Sequence, residues 1–200
     1  MVVQKAMFQA AEFCRVNGKD PLIPSVLHLK DGLEDKLQQW SPPREDIIKC
    51  NADAVVEVEN GIAGLAVVCH NGRGILVNGF AFKQSVSSVL MVETLALRAA
   101  VRWAIRNGLK EIIFESDGKE LMRVINKMVS LPWRIKPLVL SIWELRKAFS
   151  FCEFTYVCRK ANSVANWEAK WCPKDMCPFY WAMNLPATLC SLLHTDVNHC

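Results

Sequence analysis

Residues 46–56 show the alternation of apolar and polar side chains that is typical of a β-strand, and residues 62–69 form a continuous apolar run of strand length. Turn signals at Asn60-Gly61 and Asn71-Gly72 follow these two segments, and the second is typical of a tight two-residue hairpin. The predicted strands cover residues 46–56, 62–69 and 74–83. Strands joined by such short turns pair with their neighbours, so the pattern predicts an antiparallel meander.

After residue 86 the hydrophobic period changes to that of helices alternating with strands. Ser87 or Ser88 is predicted to cap a long helix, and Gly108 stands where a helix commonly ends. Asn162 or Ser163 is predicted to cap the last helix of the domain. The predicted elements are a helix at 88–107, a strand at 111–116, helices at 118–129 and 136–148, a strand at 151–158 and a helix at 163–171. A meander followed by alternating helices and strands predicts an α/β domain with a five-stranded mixed sheet flanked by helices.

Three parts are expected along the chain. Residues 1–45 form an N-terminal extension or linker, residues 46–172 form the domain, and residues 173–200 form a tail. Pro42-Pro43 stops any helix before the domain, because proline lacks the amide donor. Short helices are predicted outside the domain at residues 6–16, 31–40 and 185–193.

Composition narrows the class of protein without assigning a function. Two hundred residues suit one domain with short extensions, and 52% hydrophobic residues are ample for a packed core. The chain contains no uninterrupted apolar run long enough for a transmembrane helix and no pattern of a secretory signal. A net charge of +4 is compatible with nucleic-acid binding but is not diagnostic.

The nine cysteines do not follow the spacing of a zinc site. Their odd number, and the position of Cys50, Cys69, Cys152 and Cys158 in strand-like runs, favour reduced thiols that pack as small apolar residues. We therefore expect an intracellular, reducing location, in nucleus or cytoplasm, with no disulfide.

Three acidic residues occupy the ends or beginnings of predicted elements. Asp53 ends the strand-like run 47–53, Asp117 ends the run 112–117, and Glu93 lies in the first turn of the helix pattern that starts at Val92. Taken singly, they suit a strand end, a helix cap and a partner of the helix dipole. Taken together they suit magnesium, which prefers hard oxygen ligands, and two-metal hydrolysis of phosphodiesters, which needs several carboxylates at one point.

The order and context of these motifs are similar to those of plant ribonuclease H type 1-like domains of retrotransposon origin. The resemblance extends over about residues 40–195. The segments that carry it are Trp40–Asp53, Val92–Arg98, Phe114–Asp117, Arg159–Asn166 and Leu185–Leu193. It implies a ribonuclease H-like fold and cleavage of the RNA strand of an RNA–DNA hybrid, with two Mg²⁺ (or Mn²⁺) ions at an intact site.

Site residues can be assigned by the same resemblance. The catalytic and metal-binding positions would be Asp53, Glu93, Asp117 and Asn166. Such domains recognise a hybrid by groove shape, sugar hydroxyls and phosphates rather than by base sequence. The predicted contacts to nucleic acid are Asn51, Ser116, Arg159 and Lys160. No membrane and no obligate protein partner is expected.

Two departures from the family pattern affect this hypothesis. Ala54 replaces a glycine after the first aspartate, and Asn166 replaces the fourth acid. Asparagine offers a carbonyl oxygen but no charge, so one ion should bind more weakly. Glu168 lies about 200° around the helix from Asn166 and does not replace it. Weak hydrolysis or none is therefore expected, and a catalytically silent nucleic-acid-binding module or a protein-interaction domain are the alternatives.

Other basic and aromatic residues have simpler interpretations. Arg98, Arg102 and Arg106 recur every four residues, as on a solvated helix face. Trp133 and Trp143 are expected to pack in the core or between helices rather than to stack on bases.

Overall fold

The computed structural model describes residues 39–57, 59, 61–85, 88–174 and 187–191. The strands are β1 (Ile48–Glu57), β2 (Ile62–His70), β3 (Leu76–Ser85), β4 (Glu111–Ser116) and β5 (Phe151–Tyr156). The helices are α1 (Val89–Arg106), α2 (Lys119–Ile125), α3 (Lys136–Arg146) and α4 (Ser163–Trp171), followed by a 3₁₀ turn at Cys172–Lys174. The helices predicted at 6–16 and 31–40 lie outside the described residues, and residues 187–191 are helical within the segment predicted at 185–193.

The five strands form one mixed sheet in the order β3-β2-β1-β4-β5. β1, β2 and β3 pair antiparallel, whereas β4 pairs parallel with both β1 and β5. The predicted meander and the mixed five-stranded sheet are therefore confirmed. β1 is the central strand, and both of its edges are hydrogen-bonded to neighbours.

Helix α1 covers one face of the sheet because its apolar residues follow the helical period. Ser88 begins the helix, and its Oγ accepts a hydrogen bond from the amide of Met91. Gly108, at a φ of +70°, ends it in the left-handed conformation that glycine adopts most easily. The buried side of α1 packs against β1 and β2 and joins α2 and α3 in the main hydrophobic core.

Helix α4 packs on the opposite face, against β1 and β2. Gly64 in β2 permits this contact, because a Cβ atom there would collide with the carbonyl oxygen of Ala169 and the ring of Pro173. Val68, Val164, Ala165 and Leu189 form a second, smaller apolar cluster on this face. The chemistry-bearing face of β1 is thus the face covered by α4.

The structure differs from the sequence predictions in the connection between β2 and β3 and in several element boundaries. The connection between β2 and β3 spans residues 71–75, and it is organised by Asn71 Oδ1, which accepts hydrogen bonds from the amides of Arg73 and Ile75. It is therefore wider than the predicted two-residue hairpin. Helix α2 ends at Ile125 instead of 129. Glu93 is the fifth residue of α1 and lies in its second turn rather than its first, and Asp53 lies within β1 rather than at the end of a strand.

Two side-chain predictions are also corrected. Cys50 and Cys69 face each other as a register pair of β1 and β2, and their sulfur atoms are joined as a disulfide, so the prediction of free thiols is wrong for this pair. Trp133 is 77% exposed and does not pack in the core. Trp143 does pack, and its Nε1 donates to the carbonyl of Ile125.

Among the described helices none is both long and apolar enough to cross a membrane.

Candidate active site

The site begins where the parallel pairing of β1 and β4 ends, at the carboxyl end of β4 and in the middle of β1. Asn51 of β1 lies beside Glu115 of β4 in the register of the sheet. Because side chains alternate along a strand, the next residues on the same face are Asp53 and Asp117. The parallel pairing of β1 and β4 therefore brings these two aspartates to the same sheet edge. Electrostatic repulsion between them contributes to the raised pKa of Asp53.

Asp53 is almost completely buried, with 4% of its surface exposed. Its Oδ1 accepts a hydrogen bond from the amide of Ala54 at 2.7 Å, but Oδ2 has no hydrogen-bond partner among the described residues. Burial, followed by the charge of Asp117, raises the pKa of Asp53 from 3.8 to about 8. A buried carboxylate oxygen without a donor is an unfavourable arrangement that a bound cation would relieve.

Glu93 reaches the same region from the second turn of α1. Its carboxylate lies against Gly118, where a Cβ atom would stand 2.6 Å from Glu93 Oε2. Glycine at 118 therefore gives the carboxylate its space. Burial raises the pKa of Glu93 from 4.5 to about 7, with further contributions from the charges of Asp117 and Glu120.

Asn162 positions Asp117. The sequence suggested Asn162 as a helix cap, and it does stand at the N-cap of α4, but its side chain makes no capping hydrogen bond. Instead its Nδ2 donates to Asp117 Oδ1 at 3.1 Å and to the carbonyl of Ala52 at 3.3 Å. Its Oδ1 accepts from Asn51 Nδ2 at 3.2 Å. The sequence did not reveal this role, because asparagine at the start of a helix is also the residue type expected for a helix cap.

A buried polar network lies behind the aspartates. Asn51 Oδ1 accepts from Trp40 Nε1 at 3.0 Å, and Asn51 Nδ2 also donates to Glu115 Oε2 at 3.0 Å. Lys49 Nζ lies 2.7 Å from Glu115 Oε1 and donates to the carbonyl of Ser41 at 2.7 Å. The alternation that places Lys49, Asn51 and Asp53 on one face of β1 was the sequence signal for this network.

The burial of Asn51 and Ser116 argues against their predicted contact with nucleic acid. Asn51 is 3% exposed and its amide is engaged within the network. Ser116 is 2% exposed, and its Oγ accepts from the amide of Gly118 at 3.1 Å. Both side chains shape the site from within, because they hold the strand ends that carry the acids.

Arg159 and Asn166 close the other side of the site. Arg159, in the loop before α4, is exposed, and its Nη2 donates to Asn166 Oδ1 at 2.8 Å. The charge of Arg159 partly offsets the upward pKa shifts of Asp53 and Glu93. The position where the family pattern has an acid is therefore occupied by an amide that is hydrogen-bonded to a cation. Lys160 is exposed next to Arg159.

The donor set fits a divalent cation in chemistry but is not arranged as a finished metal site. Asp53, Glu93 and Asp117 interact electrostatically, and one buried oxygen of Asp53 is unsatisfied. Yet the described residues contain no group of three or more His, Cys, Asp or Glu side chains placed closely enough to hold a metal ion. The acids are neighbours that would have to converge further to share an ion.

Glu168 does not join this group. It is fully buried in α4, and neither carboxylate oxygen has a hydrogen-bond partner among the described residues. Burial raises its pKa well above the usual range. Its charge is not among those that shift the pKa of Asp53 or Glu93, as expected for a side chain on another side of the helix.

Comparison with solved structures identifies the fold. RNase H1 from the archaeon Halobacterium salinarum superposes with a TM-score of 0.61 at 20% identity, covering 64% of this chain and 98% of that chain. LC11-RNase H1, solved in complex with an RNA/DNA hybrid, gives 0.58 at 18% identity and covers 64% and 97%. The N-terminal RNase H domain of rv2228c from Mycobacterium tuberculosis gives 0.58 at 17% identity and covers 62% and 91%. At these identities the likeness establishes a ribonuclease H-like fold.

Comparison of sequences identifies the family. No curated protein matches the chain. A sequence profile of the family described as reverse transcriptase-like matches residues 51–172, which include Asp53, Glu93, Asp117 and Asn166. The match covers more than half of the chain and coincides with the sheet and helices that carry the acids. The chain therefore belongs to the reverse transcriptase-like family and carries a ribonuclease H-like domain.

Proposed function

We propose that this protein is a divalent-metal-dependent ribonuclease that hydrolyses the RNA strand of an RNA–DNA hybrid, weakened by the amide at position 166. The observation that carries the proposal is the meeting of Asp53, Glu93 and Asp117 at one sheet edge, with an unsatisfied buried oxygen on Asp53. The ribonuclease H-like fold and the neighbour solved with an RNA/DNA hybrid support it.

The three carboxylates would hold Mg²⁺ or Mn²⁺. When bound, such ions activate the attacking water and stabilise the leaving oxygen of a phosphodiester. The amide of Ala54 orients Asp53 and leaves its Oδ2 available, while Asn162 fixes Asp117. The supporting network is buried and hydrogen-bonded, so it restricts Asp53 and Asp117 before any ligand arrives, and a bound ion would draw the acids further together.

Substrate contacts would come from exposed cations beside the acids. Arg159 and Lys160 precede α4 and are exposed, so their side chains can reach phosphates of a strand lying on the site. Arg159 also donates a hydrogen bond to Asn166. The same guanidinium group would therefore contact both a phosphate and the residue that replaces the fourth acid.

A second candidate function rests on the hydrogen bond between Arg159 and Asn166. A neutral amide held by Arg159 supplies no charge for a second ion, and the cation beside it opposes metal binding. This observation favours a hybrid-binding module without hydrolysis as the alternative.

Cleavage of a labelled RNA–DNA hybrid in Mg²⁺ and in Mn²⁺ tests the proposal. Wild type would be compared with Asp53→Asn, Asn166→Asp and, as a matched control, Asp46→Asn, which changes an exposed aspartate. We expect weak wild-type cleavage that Asp53→Asn abolishes and Asp46→Asn preserves. Cleavage only by Asn166→Asp would support the silent module, and no cleavage by any well-folded variant would exclude the ribonuclease function.

A further inference from the structure

A second surface, outside the acidic site, is a groove between helix α1 and strand β3. β3 is the edge of the sheet, and its face extends beyond the cover of α1. Phe80 and Phe82 form the floor, and Trp103 with three arginines forms the wall, the arginines being Arg98, Arg102 and Arg106. The groove has a volume of about 510 Å³. We call it the arginine groove.

The arginine groove is separate from the candidate active site. Arg98, Arg102 and Arg106 follow Glu93 along α1, and at about 100° per residue they lie roughly 140° to 220° around the helix from it. In the sheet, β2 and then β1 separate the floor strand β3 from β4. A ligand in the groove therefore does not contact Asp53 or Asp117.

The charge of the groove has one sign. The described side chains that line it include three guanidinium groups and no carboxylate. Within the described part of the chain, none of these three arginines makes an ion pair or a side-chain hydrogen bond. Residues four apart on a helix rise about 6 Å, so the cations form a row along the groove. A row of unpaired guanidinium groups suits a chain of phosphates.

The aromatic floor distinguishes this groove from a simple basic surface. The rings of Phe80 and Phe82 are nearly parallel, with 17° between their planes and centroids 6.4 Å apart. Both rings and Trp103 are only half-buried, so part of each remains accessible. Aromatic faces beside a basic row are how proteins bind single strands without sequence preference, because every base has a face that can stack. A duplex keeps its bases stacked inside and cannot use such a floor.

We propose that the arginine groove binds single-stranded nucleic acid, with phosphates along Arg98, Arg102 and Arg106 and bases against Phe80, Phe82 and Trp103. This binding requires no divalent metal and no hydrolysis, so it does not rest on the proposed nuclease function. It would hold an unpaired strand at the β3 edge while the acidic site remains free.

The test is fluorescence anisotropy of a short labelled oligodeoxythymidylate in EDTA. Three phosphate contacts to a single strand predict a salt slope of about −2, so affinity should fall roughly fifteenfold between about 50 mM and about 200 mM salt. The variant R98Q/R102Q/R106Q should lose this affinity and most of the salt dependence. The matched control K110Q/K136Q/K147Q removes the same charge from exposed positions outside the groove and should bind like wild type.

Two further comparisons make the result specific. Asp53→Asn should bind the single strand like wild type, which separates this groove from the acidic site. Phe82→Leu, which keeps an apolar floor, should weaken binding about fivefold or more, since base stacking is lost. Circular dichroism would establish that each variant is folded. Equal binding by the arginine variant and its control, or equal affinity for polyglutamate, would overturn the proposal.

Discussion

At the residue scale, the Asp53 side chain is buried and one of its oxygens has no hydrogen-bond partner among the described residues. Ionisation of Asp53 should therefore lower the free energy of unfolding. Its pKa is raised from 3.8 to about 8, so the folded protein keeps a proton that the unfolded chain releases above pH 3.8. The stabilisation is complete below pH 3.8 and is lost as pH rises through about 8. The conditions that ionise Asp53, as the proposed metal binding would require, are thus those in which the metal-free fold is least stable.

Asp53→Asn is therefore expected to stabilise the metal-free protein at pH 8 by roughly 1–3 kcal/mol, because asparagine carries no charge to bury. At pH 4 the difference should nearly disappear. Thermal unfolding in EDTA at the two pH values measures this, with Asp46→Asn as the control for an exposed aspartate. A variant less stable than wild type at pH 8 would contradict this view of the site.

The pairing of Arg159 with Asn166 leads to a second expectation. Arg159 places a positive charge near Asp53 and Glu93, so it should repel a divalent cation. Arg159→Gln should tighten Mg²⁺ binding severalfold, by calorimetry without nucleic acid, since glutamine can still donate to Asn166. Lys160→Gln, its neighbour, is the matched control. If Arg159→Gln weakened Mg²⁺ binding instead, the arginine would be supporting the ion site through Asn166.

Individual residues were predicted unevenly from the sequence. Asp53, Glu93 and Asp117 could be proposed as site residues because they lie on elements that periodicity makes visible, although Asp53 lies within β1 and Glu93 in the second turn of α1. Asn162 was assigned to a cap, because its bond to Asp117 crosses 45 residues of chain and depends on the packing of α4. The disulfide of Cys50 and Cys69 required the register of β1 and β2, which alternation alone does not define.

At the element scale, β1 is held to β4 by more than backbone hydrogen bonds. Lys49 and Glu115 form an ion pair at 2.7 Å with both side chains 7% exposed. Asn51 bonds the same carboxylate. A buried pair of this kind adds little net stability over apolar residues, but its disruption leaves an uncompensated charge. Its use here is to align the strand ends that carry the aspartates.

Lys49→Met should therefore lower the free energy of unfolding by about 3–5 kcal/mol, because Glu115 would remain buried without its cation. Adding Glu115→Gln to this variant should recover part of the loss, since the neutral amide can still accept from Asn51. Urea denaturation of the single and double variants measures both effects. A double variant less stable than Lys49→Met alone would show that the carboxylate is not the source of the penalty.

Element types were predictable where one periodic signal dominates, and boundaries were not. The apolar stripe of α1, with Ser88 before it and Gly108 after it, made this helix evident from sequence. Asn71-Gly72 suggested a tight hairpin, but the Asn71 side chain builds a wider loop by accepting two backbone amides. Local side-chain hydrogen bonds of this kind compete with regular turns and are poorly visible in a pattern.

At the scale of the whole molecule, the packed unit begins before the strand that opens the domain. Trp40 is 4% exposed, and its indole donates to Asn51 and lies 4.8 Å from the ring of His70. Ser41 accepts from Lys49. The sequence placed the start of the domain at residue 46, whereas these contacts place residues 40 and 41 within the support of the site.

A chain beginning at residue 46 should consequently be less stable than one beginning at residue 39. Loss of the buried indole alone should cost about 3–5 kcal/mol. Thermal unfolding of the two fragments measures the difference, and Trp40→Phe in the longer fragment, which keeps most of the ring, is the control for its hydrogen bond. Equal melting temperatures would show that the segment before β1 is dispensable.

The central place of β1 also determines when the fold can be completed. β1, β2 and β3 can pair as soon as they are synthesised. The other edge of β1 stays unpaired until β4 is synthesised, because the partners Asn51 and Glu115 are 64 residues apart in the chain. Until then β1 presents an unpaired edge, which is a hazard for association between chains. Lys49, Asn51 and Asp53 are polar side chains of β1, so they disfavour association of the unpaired strand with other chains. The same residues later lie in the candidate site or its supporting network. The positions proposed to support the site would thus also limit association between chains before the sheet is complete.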